Sequence, residues 1–128
     1  MKLLLDTHAL IWWLAGDDAL SVSAREAIAN LDNTIAISAA SAMEVATKFR
    51  IGKLEHAARL AQNFADAVAA QGFFELPITV RHAQFAGSLA IAHKDPFDRL
   101  LIAQALVEDM TLVSNETMFD GFAVKRLW

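Results

Sequence analysis

Hydrophobic positions alternate between short continuous runs and longer segments of helical spacing. The apolar run from Lys2 to Leu5 ends at Asp6 and is typical of a buried strand. Similar runs predict strands at 34–38, 73–76, 111–114 and 123–127. The segments between them predict helices at 9–14, 23–31, 41–50, 57–71, 80–93 and 96–108.

Local signals set several of these boundaries. Ser23, followed by Glu26, is expected to cap the second helix, and Gly52 and Gly72 are expected to stop the third and fourth. Asp95 before Pro96 is a strong helix start, because an Asp side chain caps well and proline fits the first helical position.

Strands that alternate with helices predict an α/β fold with a mostly parallel sheet of four to five strands, covered on both faces. A length of 128 residues, without a linker or repeat, predicts a single domain over 1–128. In such sheets ligands bind beyond the carboxyl ends of the strands. Functional residues are therefore expected where strands end.

Composition narrows the class of protein. The chain is 55% hydrophobic and 20% charged, which excludes a disordered protein, and it has no cysteine, which excludes disulfides and thiolate chemistry. No signal peptide or membrane span is visible, so we expect a soluble cytoplasmic protein. The net charge of −4 lacks the basic excess typical of nucleic-acid binders, although carboxylates that hold cations also count as acidic in this sum.

Four acidic residues follow apolar runs or lie near helix starts: Asp6, Glu44, Asp98 and Glu116. Carboxylates that meet at one sheet edge repel each other, and a divalent cation between them removes that repulsion. Mg²⁺ and Mn²⁺ prefer carboxylate oxygens. The pattern therefore predicts a metal-dependent enzyme.

Each acid also has a simple structural explanation. Asp6 could cap the first helix, Ser41-x-x-Glu44 matches a capping box, and Glu44 and Lys48 are i,i+4 partners. Asp98 would favour the positive end of a helix dipole, and Glu116 could be an ordinary loop residue. Taken singly, these acids leave both interpretations open.

Together, the motifs resemble a known family. Leu3-Leu-Leu-Asp6-Thr7-His8, Ser41-x-x-Glu44, Asp95-Pro-Phe-Asp98-Arg-Leu-Leu-Ile-Ala-Gln and the segment that ends in Glu116-x-x-Phe119 look like the PIN domain, specifically VapC-type toxins of toxin–antitoxin systems. The resemblance covers essentially the whole chain in order. It implies an α/β/α sandwich and a Mg²⁺- or Mn²⁺-dependent endoribonuclease that hydrolyses RNA with a metal-activated water. It also implies a cognate antitoxin and a homodimer as partners.

The family's catalytic acids fall on Asp6, Glu44 and Asp98, which the resemblance implies as metal ligands. The fourth catalytic position falls on Glu116, where the family more often has aspartate, so a water-mediated role is expected there.

Four neighbouring residues are candidates for outer-shell or substrate contacts. Thr7 could orient a carboxylate or cap the helix, and Asp95 is expected first as a cap and second as an outer-shell ligand. Lys94 and Arg99 border the acids and are candidates for phosphate contacts.

Two alternatives from other functional classes remain open. A receiver-like signalling domain is also a small parallel α/β fold, but the expected aspartate after the third strand and lysine after a late strand are missing. A PIN fold that has lost catalysis and only binds partners would retain the same architecture. The presence of all the acids favours the enzyme.

Overall fold

The protein is described by a computed structural model that covers residues 1–92 and 95–128. The strands of this part of the chain are β1 (Lys2–Leu5), β2 (Thr34–Ser38), β3 (Phe74–Leu76), β4 (Thr111–Val113) and β5 (Arg126–Leu127). Its α-helices are α1 (Thr7–Ala15), α2 (Val22–Ala29), α3 (Ala39–Arg50), α4 (Ala58–Gln62), α5 (Phe64–Ala70), α6 (Val80–Ser88) and α7 (Pro96–Val107). Two 3-10 helices span Glu55–Ala57 and Thr117–Phe122.

The strands form one parallel sheet in the order β3-β2-β1-β4-β5. Beyond Lys2, the central strand β1 is apolar because helices cover both of its faces, and Leu3, Leu4 and Leu5 are fully buried. The predicted fold class, an α/β sandwich with a mostly parallel sheet, is confirmed.

Alternate residues of the strands face two different helical layers. Leu3 and Leu5 pack with residues of α1, α2 and α5, whereas Leu4 packs with α7 and the 3-10 helix around Phe119. Helix α3 follows β2 at the carboxyl edge of the sheet, where it contacts α1, α4 and α7. This placement brings α3 over the strand ends that carry the predicted acids.

Several predicted boundaries are wrong for identifiable local reasons. The cap of α2 is Ser21 rather than Ser23, because the Ser21 side chain accepts the N–H of Ala24 at 3.1 Å. The single helix predicted at 57–71 is interrupted at Asn63, whose backbone is not helical (φ −133°, ψ 40°). The helix predicted at 80–93 ends at Ser88. The carbonyl groups of Ala86 and Gly87, in its last turn, accept hydrogen bonds from the Arg99 side chain.

The start of α3 also differs from the sequence expectation. Ser38 caps this helix by accepting the N–H of Ala40 at 2.9 Å, so Ser41 and Glu44 do not form a capping box. Glu44 therefore lies in the second turn of α3 rather than the first. The last strand is shorter than predicted because Ala123 adopts a left-handed conformation, with φ of 60°.

Across residues 1–92 and 95–128, no helix combines the length and the apolar composition that a membrane crossing requires.

Candidate metal and catalytic site

The carboxyl ends of β1 and β4 bring Asp6 close to the segment that contains Glu116. The two strands are neighbours in register, and the N–H of Asp6 donates to the carbonyl of Val113 at 3.0 Å. Ser114, which is fully buried, hydrogen-bonds to the Asp6 carboxylate and accepts the N–H of Glu116 at 3.0 Å. The Ser114 hydroxyl thus bonds to both the carboxylate of Asp6 and the backbone N–H of Glu116.

Asp6 is a buried carboxyl group with one firm structural role. Its Oδ1 accepts the N–H of Ala9 at 2.8 Å and caps α1, which is the structural role that the sequence left open beside metal binding. Burial raises the pKa of Asp6 to about 6, assisted by the nearby charge of Glu116 and opposed by the bonds from Ser114 and Ala9 and by His8. The ionised form of Asp6 is therefore poorly compensated by the protein.

Glu44 is held from both sides by residues of α1 and α3. Thr7 Oγ1 donates to Glu44 Oε1 at 2.5 Å and lies 3.0 Å from the hydroxyl of Ser41. Lys48, one turn further along α3, donates to Glu44 Oε2 at 2.5 Å. The contacts run from Ser41 through Thr7 and Glu44 to Lys48, and the first three of these side chains are buried. Because Thr7 directly follows Asp6, this network joins the two predicted metal ligands.

The start of α7 supplies the other predicted ligand. Asp95 caps α7 by accepting the N–H groups of Phe97 and Asp98 at 2.9 and 3.2 Å, which confirms its expected capping role. Asp98 lies in the first turn. The negative charges of Asp95 and Asp98 both act on Lys48, so the start of α7 lies near the Glu44 side of the site.

The acids are therefore arranged as two neighbouring groups. Asp6 and Glu116 lie around Ser114, whereas Glu44 and the α7 acids lie around Lys48, with Thr7 between the groups. Among residues 1–92 and 95–128, no three His, Asp or Glu side chains are close enough together to hold a metal ion as they stand.

The chemistry of the donors nevertheless suits a hard divalent cation. The candidate ligands are carboxylate oxygens, which hard divalent cations prefer. Within the described residues, His8 is the only side chain whose positive charge lowers the pKa of the buried Asp6. Asp98, in the first turn of α7, is the third candidate ligand beside Asp6 and Glu44. Asp6, Glu44 and Asp98 are thus the residues that would hold such an ion.

Of the candidate phosphate contacts, Arg99 has a clear structural use. Its guanidinium donates to the carbonyls of Ala86, Gly87, Leu89 and Ile91, at distances from 2.8 to 3.3 Å. These bonds hold the end of α6 and the segment that follows it. Lys94 lies outside the described residues.

Two polar residues at the site, Ser114 and Ser41, make contacts that the sequence does not predict. The sequence places Ser114 at the end of a predicted strand and Ser41 in a capping-box motif, whereas the i,i+4 pair of Glu44 and Lys48 is expected and is present. The available signal was a serine directly at the end of a buried strand, at the same level as Asp6 on the neighbouring strand. The pairing order β1-β4, needed to use that signal, is a tertiary property.

Comparisons with known proteins agree with this architecture. A chain of the Rickettsia felis VapBC2 complex, bound to a DNA fragment from its promoter, is similar with a TM-score of 0.72 and 19% identity, over 99% of this chain and 98% of that one. A toxin–antitoxin complex from Klebsiella pneumoniae gives 0.68 and 20%, over 98% and 95% of the two chains. DNA-bound VapBC from Salmonella typhimurium gives 0.69 and 16%, over 99% and 97%.

At these identities the similarity to solved structures shows the fold alone. No curated protein matches the sequence. The family that the acidic motifs indicated is confirmed, because residues 3–125 match the family model of the PIN domain. Because this match covers nearly the whole chain, the chain belongs to the PIN domain family.

Proposed function

We propose that this protein is a Mg²⁺- or Mn²⁺-dependent endoribonuclease and the toxin of a type II toxin–antitoxin pair, of the VapC type. The observation that carries the proposal is the buried Asp6 at the end of the central strand, joined through Thr7 to Glu44. Nucleases with PIN domains generally use divalent metal ions, and the oxygen donors of this site suit them. RNA made in the cytoplasm is the proposed substrate.

A divalent ion in such a site stabilises charge on the phosphate and makes water a stronger nucleophile. The chain contributes the geometry. Asp6, Glu44 and Asp98 would bind the ion, and Glu116 would assist from the segment after β4. Thr7 fixes the Glu44 carboxylate through its 2.5 Å hydrogen bond, and Ser114 orients Asp6. Asp95 holds the first turn of α7 and thereby positions Asp98.

A cognate antitoxin is the second part of the proposal. The solved structures with this fold include toxin–antitoxin complexes from three bacteria. An apolar groove of about 540 Å³ between α1 and α4, lined by residues such as Ile11, Leu14 and Leu60, offers a surface for an apolar helix of that partner. A homodimer remains a prediction, which light scattering of the purified chain would check.

The decisive experiment is cleavage of a mixed RNA pool with Mg²⁺, with Mn²⁺ and with EDTA. Asp98→Asn removes one carboxylate charge at nearly constant volume. Asp109→Asn is the matched control, because Asp109 is exposed, lies at the other end of α7, and has a left-handed backbone (φ 52°) that asparagine tolerates.

We expect metal-dependent cleavage by the wild type and by Asp109→Asn, and a loss of at least about a hundredfold in Asp98→Asn. Cleavage that persists in EDTA, or an Asp98→Asn variant as active as the wild type, would refute the metal mechanism. Mn²⁺ binding without cleavage of any RNA would instead indicate a PIN fold that only binds its partners.

A further inference from the structure

Lys48 carries a positive charge in direct contact with Glu44, one of the proposed metal ligands. Its ammonium lies 2.5 Å from Glu44 Oε2, and 31% of the Lys48 side chain and 8% of the Glu44 side chain are exposed. The pair between Lys125 and Asp109 is a useful contrast, since its ammonium and carboxylate lie 3.4 Å apart with 72% and 83% exposed. The Lys48 pair is shorter and far less hydrated.

Lys48 serves more than one carboxylate. Burial lowers the pKa of its ammonium, but the hydrogen bond and charge of Glu44 and the charges of Asp95 and Asp98 raise it further, and the net pKa lies above the ordinary value. The ammonium thus lies in the field of three acids on two helices, α3 and α7. Two of those acids, Glu44 and Asp98, are proposed metal ligands.

Within residues 1–92 and 95–128, no ammonium or guanidinium group is among those that shift the pKa of Asp6. The groups that lower the pKa of Asp6 are Ser114, the N–H of Ala9 and His8, and the net pKa is still raised. Within this part of the chain, Glu44 therefore has a direct cationic partner, whereas Asp6 has none comparable.

We propose that Lys48 is a built-in cation of the acidic site, which compensates Glu44 and the α7 acids, weakens divalent-ion binding and limits the site to one ion. The proposal rests on the proposed metal-dependent function and adds a positioning residue to it. A second ion between Glu44 and Asp98 would have to approach the ammonium, and like charges at such distances repel strongly in a partly buried site.

The sign of the metal response distinguishes this role from a merely structural one. If Lys48 only held Glu44 in a productive orientation, removing its charge would weaken metal binding. If Lys48 competes with the ion for the same carboxylates, removing its charge strengthens binding. The two roles thus predict opposite changes in the dissociation constant of Mn²⁺.

The test is a titration of Mn²⁺ into the purified chain, with free Mn²⁺ followed by electron paramagnetic resonance, beside thermal unfolding in EDTA and in excess Mn²⁺. The variants are Lys48→Met, which keeps the aliphatic stem, Lys48→Gln as a polar neutral replacement, and Lys48→Arg, which keeps the charge. Lys53→Met is the control, because Lys53 is an exposed lysine just beyond the same helix.

We expect one ion per wild-type chain. Lys48→Met and Lys48→Gln should bind Mn²⁺ about tenfold more tightly or take up a second ion, and should unfold at a lower temperature in EDTA but gain more from Mn²⁺. Lys48→Arg and Lys53→Met should resemble the wild type. A neutral variant that folds only with Mn²⁺ would also support the proposal.

Unchanged or weaker Mn²⁺ binding in both neutral variants would overturn it, as would two ions per wild-type chain. If neither the wild type nor the neutral variants bind Mn²⁺, the metal site itself fails, and Lys48 has no ion with which to compete. The two failures are distinguishable, because the proposed function depends on wild-type binding and its loss in Asp98→Asn, whereas the role of Lys48 depends on the direction of change.

Discussion

Replacing Asp6 by asparagine should stabilise the metal-free protein at neutral pH. Asparagine keeps a side-chain oxygen that can accept the Ala9 N–H, so the cap of α1 survives. What the substitution removes is the ionised form of a carboxyl group that is only 6% exposed. Loss of a catalytic acid is thus expected to increase stability, a trade typical of strained functional sites.

The magnitude follows from the raised pKa of Asp6. The difference between about 6 in the folded protein and the ordinary value of 3.8 corresponds to about 3 kcal/mol. Since the folded pKa is the higher one, the neutral carboxyl contributes stability that is fully present below about pH 4 and is lost as pH rises through about 6. Above about pH 7 the wild type lacks this contribution, whereas Asp6→Asn has no such group to ionise.

The assay is denaturant-induced unfolding of the wild type and Asp6→Asn in EDTA, at several pH values from about 4 to about 8. We expect the difference in unfolding free energy, variant minus wild type, to increase by about 2–3 kcal/mol across this range, mostly between about pH 4 and 6. Other titrating groups are common to both proteins and largely cancel in the difference. Asp18→Asn, at an exposed position, is the control and should show no such pH-dependent difference.

Metal binding provides an independent check of the same pKa. A divalent ion competes with the proton for Asp6, so wild-type Mn²⁺ affinity should fall about tenfold for each pH unit below about 6. A pH-independent difference in stability between the wild type and Asp6→Asn would refute the reasoning. It would show that Asp6 is compensated in the folded protein and titrates as it does in the unfolded chain.

Four further stability predictions follow, each checked by thermal or denaturant unfolding. Gln104→Leu should reduce the free energy of unfolding by about 2–3 kcal/mol. The fully buried Gln104 amide accepts from the Ser38 hydroxyl at 2.5 Å and donates to the backbone carbonyl of Pro77, and leucine can form neither hydrogen bond. Arg99→Lys should cost about 1–3 kcal/mol, since a lysine ammonium cannot reproduce the four carbonyl contacts of the guanidinium. Phe119→Ala should cost about 3–5 kcal/mol, because Phe119 is completely buried against β1, β4 and α7. Lys125→Ala, which breaks only an exposed ion pair, should change stability by less than about 0.5 kcal/mol. A Gln104→Leu or Arg99→Lys variant as stable as Lys125→Ala would contradict the structural roles given to these polar groups.

The sequence was sufficient for the fold because its signals were local and repeated. The apolar run before Asp6 and the regular alternation of strands and helices predict a parallel sheet without knowledge of which strands pair. The acids also signal themselves locally, since Asp6 ends a strand and Asp98 follows an Asp-Pro helix start. Local capping chemistry correctly predicted the start of α7, whereas α1 begins at Thr7, two residues before the predicted helix.

The errors have a common physical origin in side chains that bond across the sequence. Arg99 ends α6 from a distance of more than ten residues, and propensity alone would have continued that helix. Ser41 fits a capping motif, but Ser38 is closer to the strand end and takes that role, which leaves the Ser41 hydroxyl to contact Thr7. Such choices depend on tertiary neighbours, which a single sequence does not reveal.

The same distinction explains why the electrostatics of the site needed a structure. From the sequence, Glu44 and Lys48 form an ordinary i,i+4 pair of a few tenths of a kcal/mol on an exposed helix face. In the folded chain Glu44 is buried and Lys48 is partly exposed next to the acids of α7. Among the described residues, Asp6, one residue before Thr7, has no comparable cationic partner. The protein therefore surrounds two nearby carboxylates differently: Glu44 contacts an ammonium, whereas burial raises the pKa of Asp6 to about 6. The titration of Asp6 and the Mn²⁺ affinity of the Lys48 variants are therefore two independent tests of the proposed site.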